Sequence, residues 1–221
     1  MSDADVHVHE MIADACFRIG ADAEIATDLR GYLERRGLAP EDVDAIVASP
    51  PRLALYRRLV RNNILDVTYR MLERTRARMN AARNGAFEAS LDAFLHEIGP
   101  RTHYLRDVPG ELLAWAAPRW RADAELPAYL GDLARHEIVA FEVAAAPAHA
   151  PSALGEIALD RPLAFADAKR LVRYEFAVHE LPGEASDFSA PAARDVSLLV
   201  YRDAAHVVRF LDLTPLASAI L

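Results

Sequence analysis

The chain has 221 residues, 52% of them hydrophobic and 26% charged, with no low-complexity tract, so it has the composition of a folded protein able to bury a substantial core. A net charge of −8 argues against a surface built throughout to embrace phosphates. The single cysteine, Cys16, excludes an intramolecular disulfide and a cysteine-based metal site and fits a reducing compartment.

The N-terminus, MSDADVHVHEM, opens acidic where a signal peptide is basic and then apolar, and no apolar run nears the roughly 20 residues that span a bilayer. A cytoplasmic protein without a membrane association is therefore expected. Charge is unevenly placed. Residues 1–49 hold 4 basic and 11 acidic residues, residues 50–83 hold 9 and 2, and residues 84–221 hold 12 and 20.

Near the start, His7, His9 and Glu10 lie close together, but no further ligand follows at a metal-site spacing, and no metal is expected there. From Asp22 to Arg36, Ile25, Leu29, Tyr32 and Leu33 recur at intervals of three and four, which predicts an amphipathic helix stopped by Gly37. Pro50-Pro51 then opens a longer helix whose inward face is expected to carry Tyr56, Val60, Ile64, Val67 and Met71. Arginine occupies its other faces. Arg57 and Arg61 stand one turn apart, followed by Asn62-Asn63, which are poor helix formers placed for their hydrogen bonds. Two readings stay open: a basic face that docks on an acidic partner or nucleic acid, or the solvated side of a core helix pairing with the acidic first 49 residues.

Gly85 to Ile98 predicts a helix with Phe87, Leu91, Phe94, Leu95 and Ile98 inward and Gly99-Pro100 as its stop. Val108 to Trp115 reads as a short helix and Pro127 to Ala146 as a longer one, with Pro147 and Pro151 closing the helical part. His136 in that last helix is expected to be structural. Beyond the prolines the period shortens: in Arg170–Glu180, Leu171, Tyr174, Phe176 and Val178 alternate with charged or small residues as a half-buried strand requires. Val196–Tyr201 and His206–Leu211 predict a hairpin across Arg202–Ala205. Thr214-Pro215 supplies a cap and a first-turn proline for a helix from Leu216. Ended at Leu221, that helix has about two turns and either packs on the sheet or belongs to a longer natural chain.

The expected fold is thus α+β: an N-terminal helical domain, residues 1–150, followed by a small winged-helix-like domain, residues 151–221, with a three-stranded antiparallel sheet. No Gly-x-Ser-x-Gly turn, G-x-G-x-x-G or G-x-x-x-x-G-K motif occurs, and Cys16 has no plausible histidine nearby in sequence, so no catalytic residue is assigned and an enzyme is not expected. An exposed edge of a small sheet, in contrast, is a template for an extended peptide.

Leu53, Tyr56, Arg57, Asn62 and Asn63 in the pattern L-x-x-Y-R-x-x-x-x-N-N, the R-x-R-x-R-M that follows, P-x-Y-L-x-D-L-A-R-x-E at Pro127–Glu137, and the hairpin-to-helix run L-L-V-Y-R-D-A-A-H-V-V-R-F-L-D-L-T-P-L-A together resemble the HvfC/MbnC-like proteins, long labelled putative DNA-binding. Glu73 stands where many members have proline. The resemblance implies a non-catalytic subunit that forms a heterodimer with an MbnB-like multinuclear iron enzyme and binds the leader of a ribosomally made precursor peptide. It implies no cofactor in this chain, the iron being the partner's. On this reading Val207, Val208, Arg209, Phe210 and Leu211 take the leader as an added strand, and Arg57, Arg61, Asn62 and Asn63 meet the partner. The competing reading is a DNA-binding transcriptional regulator that uses the arginine-rich segment 50–83.

Overall fold

A computed structural model describes residues 3–147 and 168–220. In chain order its elements are α1 (Asp3–Phe17), α2 (Ala21–Thr27), α3 (Leu29–Glu34), α4 (Pro40–Val47), α5 (Pro50–Met71), α6 (Glu73–Ala82), α7 (Ala86–Glu97), α8 (Val108–Ala122), α9 (Leu130–Ala145), β1 (Lys169–Phe176), β2 (Ala193–Arg202), β3 (Val208–Asp212) and α10 (Pro215–Ile220). Short 3-10 turns precede α8 at Leu105–Asp107 and follow β1 at Val178–Glu180. The fold is α+β, with one three-stranded antiparallel sheet among the described residues, as expected. Pro151, the 150/151 boundary and Leu221 lie outside the described residues.

Two compact units emerge: Met1–Arg70 with Arg83–Pro118, and Met71–Ala82 with Arg119–Leu221. In the first, the helix expected over 22–36 is two helices. Asp28 leaves helical geometry (φ −149°) and its carboxylate accepts from the Gly31 amide at 2.9 Å, capping α3 and so ending α2. Tyr32 and Leu33 are buried with Met11, Ala15, Val43 and Leu53.

Along α5 the inward face holds Ile64 and Met71 as expected, with Val60 and Val67 partly buried. Tyr56 is not inward. It is 49% exposed, and Leu53, in phase with Val60 and Val67 at the seven-residue spacing, is buried instead. In α7, Phe87, Leu91, Phe94 and Leu95 are buried, whereas Ile98 is 46% exposed. The helix has ended by then: Ile98 takes φ −121° and Gly99 the left-handed φ +66°, so helical phase no longer aims the side chain. The helix expected over 108–115 runs on to Ala122 through Pro118.

In the second unit α9 packs on one face of the sheet. Leu133, Val139 and Val143 meet Val172, Tyr174, Val196, Leu198 and Val200 in a single cluster. β1 pairs with β2 at Leu171↔Leu199 and Val172↔Leu198, and β2 with β3 at Leu199↔Leu211 and Val200↔Phe210. Side chains alternate faces along a strand, so Tyr174 fixes Val172 inward and turns Leu171 outward, 41% exposed, against expectation. Val178 is buried as expected, but from the 3-10 turn, because the register of β1 shifts between Tyr174 and Phe176. Thr214 Oγ1 accepts from the Ala217 amide and opens α10, as the Thr-Pro pair foretold.

Candidate functional site

The candidate site is the outer border of β3. Sheet order β1-β2-β3 leaves β3 at an edge, with no described strand on its far side. Which backbone groups face outward follows from the ladder. The Leu213 amide bonds to Ser197 O at 2.9 Å and the Asp203 amide to Val207 O at 2.9 Å, so hydrogen-bonded pairs fall at 197/213, 199/211, 201/209 and 203/207. The N–H and C=O of Val208, Phe210 and Asp212 therefore point away from β2. They are the groups an added strand pairs with.

The hairpin turn is built by one carboxylate. Asp203 accepts from the Ala205 and Val207 amides at 3.0 and 2.9 Å and from Arg209 Nε at 2.9 Å, while His206 takes a left-handed φ of +61°. Arg209, followed by those two amides, holds the Asp203 carboxyl below its usual range. The turn is longer than the sequence suggested: His206 and Val207 precede β3, so Val207 lies in the turn.

The expected leader-binding residues divide between the two faces of the sheet. Val208 and Phe210 lie opposite Arg202 and Val200, on the side that α9 covers; Arg209 and Leu211 lie opposite Tyr201 and Leu199, on the other. Phe210, 40% exposed, has its ring centroid 4.7 Å from that of His136 on α9. His136 in turn sits 5.8 Å from Tyr174 in an edge-on arrangement. Burial first, then Arg74 and His179, pushes the His136 imidazole down to about 4, so it is neutral at physiological pH. Its Nδ1, the Tyr174 hydroxyl and the His179 Nδ1 are buried with no hydrogen-bond partner among the described residues. His136 is thus structural in its packing but not satisfied in its hydrogen bonds.

Two carboxylates fix α9. Asp132 accepts from the Glu175 and Phe176 amides at 2.7 and 3.1 Å, where β1 changes register. Burial raises the Asp132 carboxyl despite those two bonds. Glu137 accepts from the Arg74 and Thr75 amides at 2.9 and 3.1 Å and from Thr75 Oγ1 at 2.6 Å, capping the first turn of α6 from a distant helix. None of these three α9 residues was picked out for the site by sequence, although Asp132, His136, Val139 and Val143 share one helical face at intervals of four, three and four.

Of the four residues expected to meet a partner, the structure turns two inward. Arg57 Nε donates to Ala15 O at 2.7 Å and Arg61 Nη1 to Cys16 O at 3.3 Å, so both satisfy the last carbonyls of α1, and Arg61 also bonds to Asp92. Asn62 and Asn63 are exposed. Arg70 bonds to Asp66, Arg74 to Pro182 O and Arg78 to Asp187, so much of the arginine content of 50–83 serves this chain's own groups. Cys16 is buried, and burial raises its thiol against the pull of Arg57 and Arg61. Among the described residues no group of three or more His, Cys, Asp or Glu is placed to hold a metal ion, and no helix is long and apolar enough to cross a membrane.

Residues 166–221 match the family model described as the HvfC C-terminal domain, a segment that contains all three strands and α10. No curated protein matches the chain.

Proposed function

We propose, on the premise that the chain is HvfC-like through its C-terminal domain, that it is a non-catalytic partner subunit whose β3 border takes up the leader of a ribosomally made precursor peptide and delivers that peptide to an MbnB-like iron-dependent oxidative enzyme. The observation that carries this reading is the outward row of backbone groups at Val208, Phe210 and Asp212. A guest strand there pairs with backbone that makes no demand on its sequence, and its alternate side chains meet Phe210 and His136 on one face and Arg209 and Leu211 on the other. Holding the leader raises the effective concentration of the remaining peptide at the enzyme's metal centre, so a modest leader affinity suffices.

Two substitutions test the edge. Val208→Pro removes an outward N–H without breaking the ladder to β2, because proline is tolerated on the free side of an edge strand. Together with the ring's bulk this lowers affinity for a labelled synthetic leader by about tenfold or more, from one lost hydrogen bond of about 1 kcal/mol and a blocked approach. Phe210→Asp gives a loss of the same order, while Leu171→Asp, on β1, leaves affinity unchanged. Equal affinity in all three variants removes the edge as the binding site. Salt-sensitive retention of duplex DNA without a protein partner would instead support the regulator reading.

A further inference from the structure

The exposed side of α5 carries a stripe of which the peptide reading uses only Asn62 and Asn63. Arg52, Leu55, Tyr56, Leu59, Asn62, Asn63 and Asp66 fall within about 60° of Leu59 on the helical wheel, at 100° per residue, and all are exposed. Leu55, Tyr56 and Leu59 are 52%, 49% and 52% exposed. Three large apolar side chains within five residues on the wet face of a helix call for a cover. Among the described residues none of the seven side chains but Asp66 has a hydrogen bond or ion pair, and Asp66 bonds only within its own helix, to Arg70.

We infer that this stripe is covered by a second copy of the chain, with two α5 helices antiparallel across a two-fold axis at Leu59. The argument is the stripe's complementarity to itself. Reversal about residue 59 sets Leu59 against Leu59 on the axis, and Leu55 against Asn63 and Arg52 against Asp66 on either side of it, each of these two pairs occurring twice, as a two-fold interface requires. The centre is apolar. Each end closes on opposite charges about 10 Å from the axis, at 1.5 Å of rise per residue. Antiparallel helix dipoles add to the same sense. Tyr56 and Arg52 also border an apolar cavity of about 320 Å³ with Met11, Ile12, Ile46 and Leu53, which gives the stripe depth at its first turns. This inference stands apart from the β3 border and uses none of its residues.

Sedimentation equilibrium of the full chain over a concentration series tests it. The expected mass rises from 24.4 kDa towards twice that value, and Leu59→Asp holds it at the monomer with an unchanged circular dichroism spectrum. Arg52→Asp, which sets two carboxylates against each other at either end of the interface, weakens the dimer by about tenfold or more, and adding Asp66→Arg restores it. At an interaxial distance of about 9 Å and a Cα radius of about 2.3 Å, the two residues 59 lie about 4–5 Å apart, within disulfide range. Leu59→Cys therefore gives a covalent dimer on mild oxidation, whereas Arg58→Cys, off the stripe, does not. A chain monomeric at every concentration, a dimer that survives Leu59→Asp, or a face that proves to bind only a different protein overturns the inference.

Discussion

Glu137→Ala removes the support that ties α9 to α6, and its cost can be worked from the structure. The carboxylate accepts two backbone N–H groups and a hydroxyl, stands 3.7 Å from Arg74 Nε, and both side chains are nearly buried, at 9% and 12% exposure. Alanine leaves all four donors short of an acceptor. Breaking a buried, hydrogen-bonded charge pair from one side costs about 3–5 kcal/mol. With a urea dependence of about 2 kcal/mol per molar, the midpoint falls by about 2 M, read by circular dichroism.

Glu137→Gln sharpens the test. Burial, the largest influence on the Glu137 carboxyl, raises it against the bonds from Thr75 and Arg74. For a carboxyl raised in the folded state, the stabilisation from this group is complete below its unfolded value and is lost as pH rises through the folded one. The carboxylate ion thus carries a desolvation cost that an amide avoids while keeping one acceptor oxygen. The glutamine variant should lose less than half of what alanine loses. An alanine cost under about 1 kcal/mol, or a glutamine cost of more than half the alanine cost, refutes the assignment of Glu137 as the cap of α6.

His136 makes the second unit acid-sensitive. Its folded value of about 4 lies below the ordinary 6.5, so its contribution is full above pH 6.5 and is lost as pH falls towards 4, of order 3 kcal/mol in all. His136→Phe should flatten that part of the stability curve, checked by urea midpoints at pH 7 and pH 4.5. Asp203→Ala removes acceptors for Ala205, Val207 and Arg209, and hydrogen exchange at the β2–β3 pairs nearest the turn should speed up while β1–β2 pairs stay protected.

The regular elements were legible because periodicity reports burial directly. Phe87, Leu91, Phe94 and Leu95 share a helical face and are buried together; Val196, Leu198 and Val200 share a strand face and are buried together. Ends and phase were less so. Ile98 continues the spacing of its helix in sequence but not in space, because Gly99 has already turned the chain, and Leu171 belongs to the opposite face from Tyr174 by parity alone. The open border at β3 was legible as a hairpin next to a Thr-Pro helix start. What flanks it was not: Asp132, His136 and Glu137 act on residues 43 or 44, 74 and 62 or 63 positions away, and such pairings leave no trace in local spacing. The bonds of Arg57 and Arg61 to the end of α1 were hidden for the same reason, since a guanidinium that caps a distant helix reads in sequence like one that awaits a ligand.

The Asp132 carboxylate has a consequence for how the sheet can extend. The Arg202 amide bonds to Ala168 O, which sets the alternation along β1 so that the Glu175 N–H faces away from β2, and Asp132 occupies it. The last outward amide on that margin is therefore taken from within, while the β3 margin has no strand beside it among the described residues. Fibre growth needs two receptive margins on every copy; a stopper at the end of one shortens the stretch along which another sheet could dock.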